Sequence, residues 1–116
     1  MVYESGASFI ERYRAKLTEA KMDGFVTVEL SSKEDGVVSL DTIKSHRLGK
    51  GYAKTALAYL ILQADEFEYE ITLIPHPLDE TTDKERLLKW YLALGFVNEN
   101  DGDVMRRGRS MKNREN

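Results

Sequence analysis

The chain has no cysteine among its 116 residues. That absence removes disulfide cross-links, thiolate metal cages and a cysteine nucleophile together. Any covalent intermediate would have to form on another residue. Only two histidines are present, and the scattered carboxylates show no ligand spacing, so no metal site is expected. The Gly-x-Ser-x-Gly elbow of a serine hydrolase is missing too. No apolar run approaches the roughly 18 residues a membrane-spanning helix requires. The opening MVYESGASFIERYR lacks the apolar centre of a signal peptide, so a cytoplasmic location is expected. Proline is limited to Pro75 and Pro77.

What remains is a mixture of 41% apolar and 32% charged residues, the balance of a soluble globular protein. The length allows one core, so one compact domain over 1–107 is expected, followed by a frayed basic tail over 108–116. The net charge of −3 is unevenly spread. From Met105 onward, Arg106, Arg107, Arg109, Lys112 and Arg114 stand against Glu115, which is +4 and leaves −7 for the rest. An acidic body suits a basic acceptor such as a lysine side chain or a polyamine, and a basic end suits an acidic partner. Nucleic acid is expected, if at all, only at that end.

Ser8 and Glu11 form a capping box, and Phe9, Tyr13 and Leu17 follow at helical spacing, which predicts a helix over Ala7 to Lys21. Phe25 to Leu30 and Val37 to Ile43 alternate and flank an Asp-Gly turn, the pattern of a hairpin. A second helix carries Ala53, Ala56, Leu57, Leu60, Ile61 and Ala64 on one face. The strand Tyr69 to Ile74 ends at the prolines, and a third helix with Leu87, Leu88, Tyr91 and Leu94 on one face stops at Gly95. A short closing hairpin completes an α+β fold with a mixed, mainly antiparallel sheet.

Between the second strand and second helix lies HRLGKGYAKT, a glycine turn of the kind that cradles phosphates at a helix N-terminus. A nucleoside-triphosphate loop would need glycine at Leu48 and at Ala53. A dinucleotide fingerprint would need glycine at Lys54 and a longer chain. Both readings fail. The physics that survives is a close approach permitted by Gly49 and Gly51, the unpaired N–H groups of the helix start, and the charges of Arg47, Lys50 and Lys54.

The segment RLGKGYA resembles the acetyl-coenzyme A signature of the GNAT superfamily of N-acetyltransferases: arginine or glutamine, two residues, glycine, any residue, then glycine or alanine. Gly51 and Ala53 match. Leu48 stands where arginine or glutamine is usual, with Arg47 one place early. The later LLKWYLALGF is similar to the family's tyrosine helix, with Tyr91, Gly95 and Phe96 at the right spacing and Lys84 where asparagine is common. A narrower likeness joins the chain to very small phage-type members, including an anti-CRISPR acetyltransferase family, through LD before the cradle, Pro77 and Asp79, and VMR near the end.

This resemblance implies a GNAT-like sheet splayed at its cofactor slot, with acetyl-coenzyme A as co-substrate and no metal. It implies direct attack of a primary amine on the acetyl group within a ternary complex. Ile43, Lys44 and Ser45 would line the slot through their backbone, and Arg47, Leu48, Gly49, Lys50, Gly51, Tyr52, Ala53, Lys54 and Lys84 would hold the coenzyme. Tyr91 would protonate the departing sulfur, as a phenol suits a thiolate. Asp41, on a face with Ser39 and Ile43, and His76 are the candidate bases. The acceptor is a small amine or a lysine on a partner protein, with a homodimer among the assemblies allowed. The other reading is a non-catalytic GNAT-like module that inhibits a host or partner protein.

Overall fold

The structure, a computed structural model, describes residues 5–34, 36–47, 50–75, 84–98 and 104–108. Helix α1 spans Gly6–Glu19, and its cap is Ser5, whose side chain accepts from the Ser8 N–H at 3.2 Å. The helix therefore starts one residue before the predicted span, and Ser8 lies in its first turn rather than capping it. Phe9, Tyr13 and Leu17 are buried as their spacing requires.

Strands β1 (Val26–Glu34) and β2 (Val37–Ser45) form an antiparallel hairpin. Gly36 at φ 89° supplies the left-handed residue of its turn. Helix α2 (Tyr52–Phe67) carries the chain to β3 (Glu70–Leu73), which pairs parallel with β2. Helix α3 (Lys84–Ala93) leads to β4 (Val97–Asn98) and β5 (Met105–Arg107), and the sheet order is β1-β2-β3-β5-β4. This is the predicted α+β class with a mixed sheet, in which only β2 and β3 run parallel as neighbours.

The topology decides where the helices lie. Because β5 is antiparallel to both β3 and β4, the crossovers β2-α2-β3 and β3-α3-β4 join parallel strands and proceed in the same direction across the sheet. Right-handed crossovers then place both helices on the same face. Burial agrees: Val38, Leu40, Ile71, Leu73 and Met105 are buried, while Ser39, Thr72 and Arg106, one residue away on the same strands, are only half-buried. All six apolar positions predicted for α2 are in the core, as are Leu87 and Tyr91 of α3.

One departure from alternation matters for the site. Glu29 pairs with Thr42 but Leu30 pairs with Leu40, so Asp41 is an extra residue, a β-bulge. Inward positions before it are Val38 and Leu40, and after it Ile43 and Ser45. Asp41 is exposed and hydrogen-bonded by the Ser39 hydroxyl at 2.8 Å, whereas Ile43 is buried. The expectation that Asp41 and Ile43 share a face is thus corrected, and the bulge is the reason.

The basic end also needs revision. Arg106 and Arg107 belong to β5, where Arg106 pairs with Glu70 and Arg107 with Asp65 at 2.5 and 3.1 Å. Arg107 Nε also donates to the Leu94 carbonyl at 2.9 Å, closing the end of α3. Both arginines bind within the fold, which leaves +2 over 109–116, outside the described residues.

Candidate functional site

Parallel pairing of β2 with β3 ends at Leu40 and Leu73, yet β2 continues to Ser45. No described strand accompanies its last five residues on that side. A cleft of about 140 Å³ opens there, with Asp41, Thr42, Ile43 and Lys44 along one wall, Leu73 and Ile74 on the other, and Tyr91 of α3 reaching in. The bulge stands at the fork. Bulges leave a residue out of the ladder and bend their strand, so the residue that breaks the alternation is also where the two strands part.

Tyr91 is 2% exposed and packs edge-on against Phe96, with ring centroids 5.4 Å apart. Tyr91 lines the cleft, and its hydroxyl has no hydrogen-bond partner among the described residues. Burial pushes its pKa up to about 12. A charged phenolate would lose its hydration there, so the proton is held firmly. The match of acidity expected between a free phenol and a thiolate is therefore loosened. Tyr13 offers a contrast, because its buried hydroxyl donates to the Ala56 carbonyl at 2.6 Å and serves the packing of α1 on α2.

At the end of β2 the turn is built by side chains. Ser45 is buried, donates to the Arg47 carbonyl at 2.7 Å and accepts from the Arg47 N–H at 3.2 Å. The Arg47 guanidinium lies 4.9 Å from the centre of the Phe25 ring, and Phe25 stacks on Tyr52 at 4.9 Å and 12°. The neighbouring His46 bonds Thr27 Oγ1 at 2.6 Å through Nε2 and the Phe25 carbonyl at 2.9 Å through its backbone N–H. The segment before β1 thus grips the turn from below. Sequence reasoning missed Phe25, which lies over 20 residues away in the chain; a stranded aromatic just before a hairpin was the available signal.

Gly51 caps α2 at φ 71° and ψ 17°, with no side-chain cap hydrogen bond. A Cβ there would meet nothing within 4 Å, so the glycine serves the left-handed conformation and leaves open space above it. The first N–H groups of α2 then face a space without a capping side chain, which is the donor set an anion requires. Lys50 and Lys54 are exposed beside it. Ala53 is 4% exposed and belongs to the core, so only its backbone remains available to a ligand. The uncapped helix start, the parted strands and a hydroxyl without a partner among the described residues together leave room for an extended ligand with an anionic end.

Leu48, Gly49 and His76 lie outside the described residues, as does the Lys84 side chain. Among the described residues no group of three metal-ligating side chains comes together, and no helix is long and apolar enough to cross a membrane.

Comparison with known proteins adds one likeness. No protein-family profile matches the chain, and no curated protein sequence does. The crystal structure of anti-CRISPR protein AcrVA5 superposes with a TM-score of 0.57 at 22% identity, covering 72% of this chain and 90% of that one. At that identity the likeness concerns the fold.

Proposed function

We propose that this chain is an acetyl-coenzyme A-dependent N-acetyltransferase acting on a primary amine. The observation that carries the reading is the fork in the sheet: β2 and β3 separate at a bulge, Tyr91 lines the opening, and the chain runs on from β2 into α2, whose start carries no side-chain cap. The coenzyme would supply an activated acyl thioester. The chain's own part is binding and proton handling. Backbone N–H groups of Tyr52, Ala53 and Lys54 would hold the anionic end, aided by Arg47, Lys50 and Lys54. The edge of β2 from Asp41 to Lys44, unpaired on that side among the described residues, would offer backbone groups to the extended remainder, and a backbone N–H there is suited to a developing oxyanion. Tyr91 would hold a proton for the leaving sulfur.

A second reading has an observation of its own. The neighbour in fold is named an anti-CRISPR protein, and Leu48 departs from the family's usual residue. An inhibitor that works by binding a CRISPR effector would use this fold without transfer. Thermal denaturation with acetyl-coenzyme A separates the readings. Ligand at 100 times its Kd stabilises by about 2.7 kcal/mol, which for a domain this size raises Tm by roughly 10 °C. A flat melting curve at millimolar ligand would leave binding alone as the function.

Phe25→Leu tests the grip on the cradle. Removing the ring releases both Arg47 and Tyr52, and acetyl-coenzyme A affinity should fall about tenfold while kcat at saturation stays unchanged. Phe25→Tyr should restore it. Isothermal titration of all three proteins reads the result, and equal affinities would mean the stack does not shape the cradle.

A further inference from the structure

A surface groove of about 590 Å³ lies away from the cleft, between α1 and α2. The helices are antiparallel, since Tyr13 bonds Ala56 and Gln63 bonds Phe9 across them. On α1 the groove is walled by Arg12, Ala15, Lys16 and Glu19. These are positions i, i+3, i+4 and i+7, the four-residue outline that receives a side chain from a facing helix. On α2 the corresponding stripe is Tyr59, Leu62, Gln63 and Glu66, with the same spacing. Leu62 is 65% exposed, more than any other large apolar residue described, and points away from the core face of α2.

We propose that this groove is the contact face of a symmetric homodimer, in which Leu62 of each copy enters the α1 outline of the other, over Ala15. The charges favour a second copy over an acidic or basic partner. The two cations, Arg12 and Lys16, are both on the α1 wall, Glu66 is on the α2 wall, and Glu19 brings the lining to neutrality. A surface divided this way complements itself. A two-fold axis along the groove sets α1 of one copy over α2 of the other and keeps each residue at its own height. Arg12 lies at the height of Phe67, its guanidinium 4.7 Å from that ring, so it meets Glu66 of the second copy next door. Leu62, one turn along from Glu66, meets Ala15, nearly one turn from Arg12.

Sedimentation velocity of the full chain over a concentration series is the test. The wild type should shift to twice the chain mass as concentration rises. Leu62→Glu should stay at single mass with an unchanged far-ultraviolet spectrum, because the residue is exposed and its replacement leaves the core intact. Glu66→Arg should weaken the dimer at least tenfold, and Glu66→Arg with Arg12→Glu should recover most of the loss. A wild type that remains single at every concentration overturns the proposal and points to a partner of another kind. A dimer that survives Leu62→Glu overturns it as well, since the contact would lie elsewhere.

Discussion

Replacing Tyr91 by phenylalanine is expected to lower kcat for acetyl transfer by about a hundredfold or more, with the Kd for acetyl-coenzyme A nearly unchanged. The ring stays where Phe96 and Trp90 pack on it, at 5.4 and 5.1 Å between centroids. Only the hydroxyl is lost, and it holds no hydrogen bond among the described residues. Stability at neutral pH should therefore change little, which distinguishes loss of a proton donor from loss of a core residue. The raised pKa sets the pH dependence. At about 12 the hydroxyl keeps its proton throughout the range where such an enzyme works, so Tyr91 contributes no alkaline fall in rate below that value. A phenol this weakly acidic gives up its proton only to a sulfur that already bears most of its negative charge. The same shift links stability to pH, with the folded pKa above the unfolded value of about 10. The stabilisation is complete below pH 10 and is lost as pH rises through the folded value. Urea midpoints should fall at high pH, and fall less steeply in Tyr91→Phe. An unchanged kcat in that variant would take Tyr91 out of the reaction.

Periodicity carried the helices and the hairpin well, because apolar spacing on α2 and alternation on β2 are direct consequences of one buried face. It gave the order of elements, the class of sheet and the place of Tyr91 on a buried helix face. Three things were beyond it. The bulge at Asp41 is invisible to alternation because Asp41 and Thr42 are both polar, so two outward residues in a row look like one strand slightly out of phase. The pairing of Arg106 and Arg107 with Glu70 and Asp65 joins residues far apart in the chain, and an arginine-rich end looks the same in sequence whether solvated or bound. The Phe25 stack beneath the cradle arises only when β1 and the start of α2 meet in space. Each is a tertiary contact or a register choice, decided by which strands pair rather than by local preference.

Deletion of Asp41 should leave a folded protein that no longer binds acetyl-coenzyme A, an outcome that ordinary reasoning about strand deletions would not anticipate. Removing a residue from a strand normally reverses every side chain beyond it. Here the bulge already contains one residue too many, since Leu40 and Thr42 pair with the consecutive residues Leu30 and Glu29. Without Asp41 the order inward, outward, inward runs unbroken through Leu40, Thr42 and Ile43, and both Ile43 and Ser45 keep their buried places. Stability should stay within about 1–2 kcal/mol of the wild type, because no core contact is lost. What disappears is the bend. A straightened β2 can continue alongside Leu73 and Ile74, which closes the cleft and removes the free strand edge a ligand would use. Coenzyme affinity should drop by at least about a hundredfold, whereas Asp41→Ala, which keeps the extra residue, should bind within a few-fold of wild type. Asp41→Ala also isolates the carboxylate: if it is the base that takes the amine proton, kcat falls in that variant while binding persists. Titration calorimetry and urea denaturation of the two proteins decide the matter. Undiminished binding after the deletion would show that the fork in the sheet does not depend on the bulge.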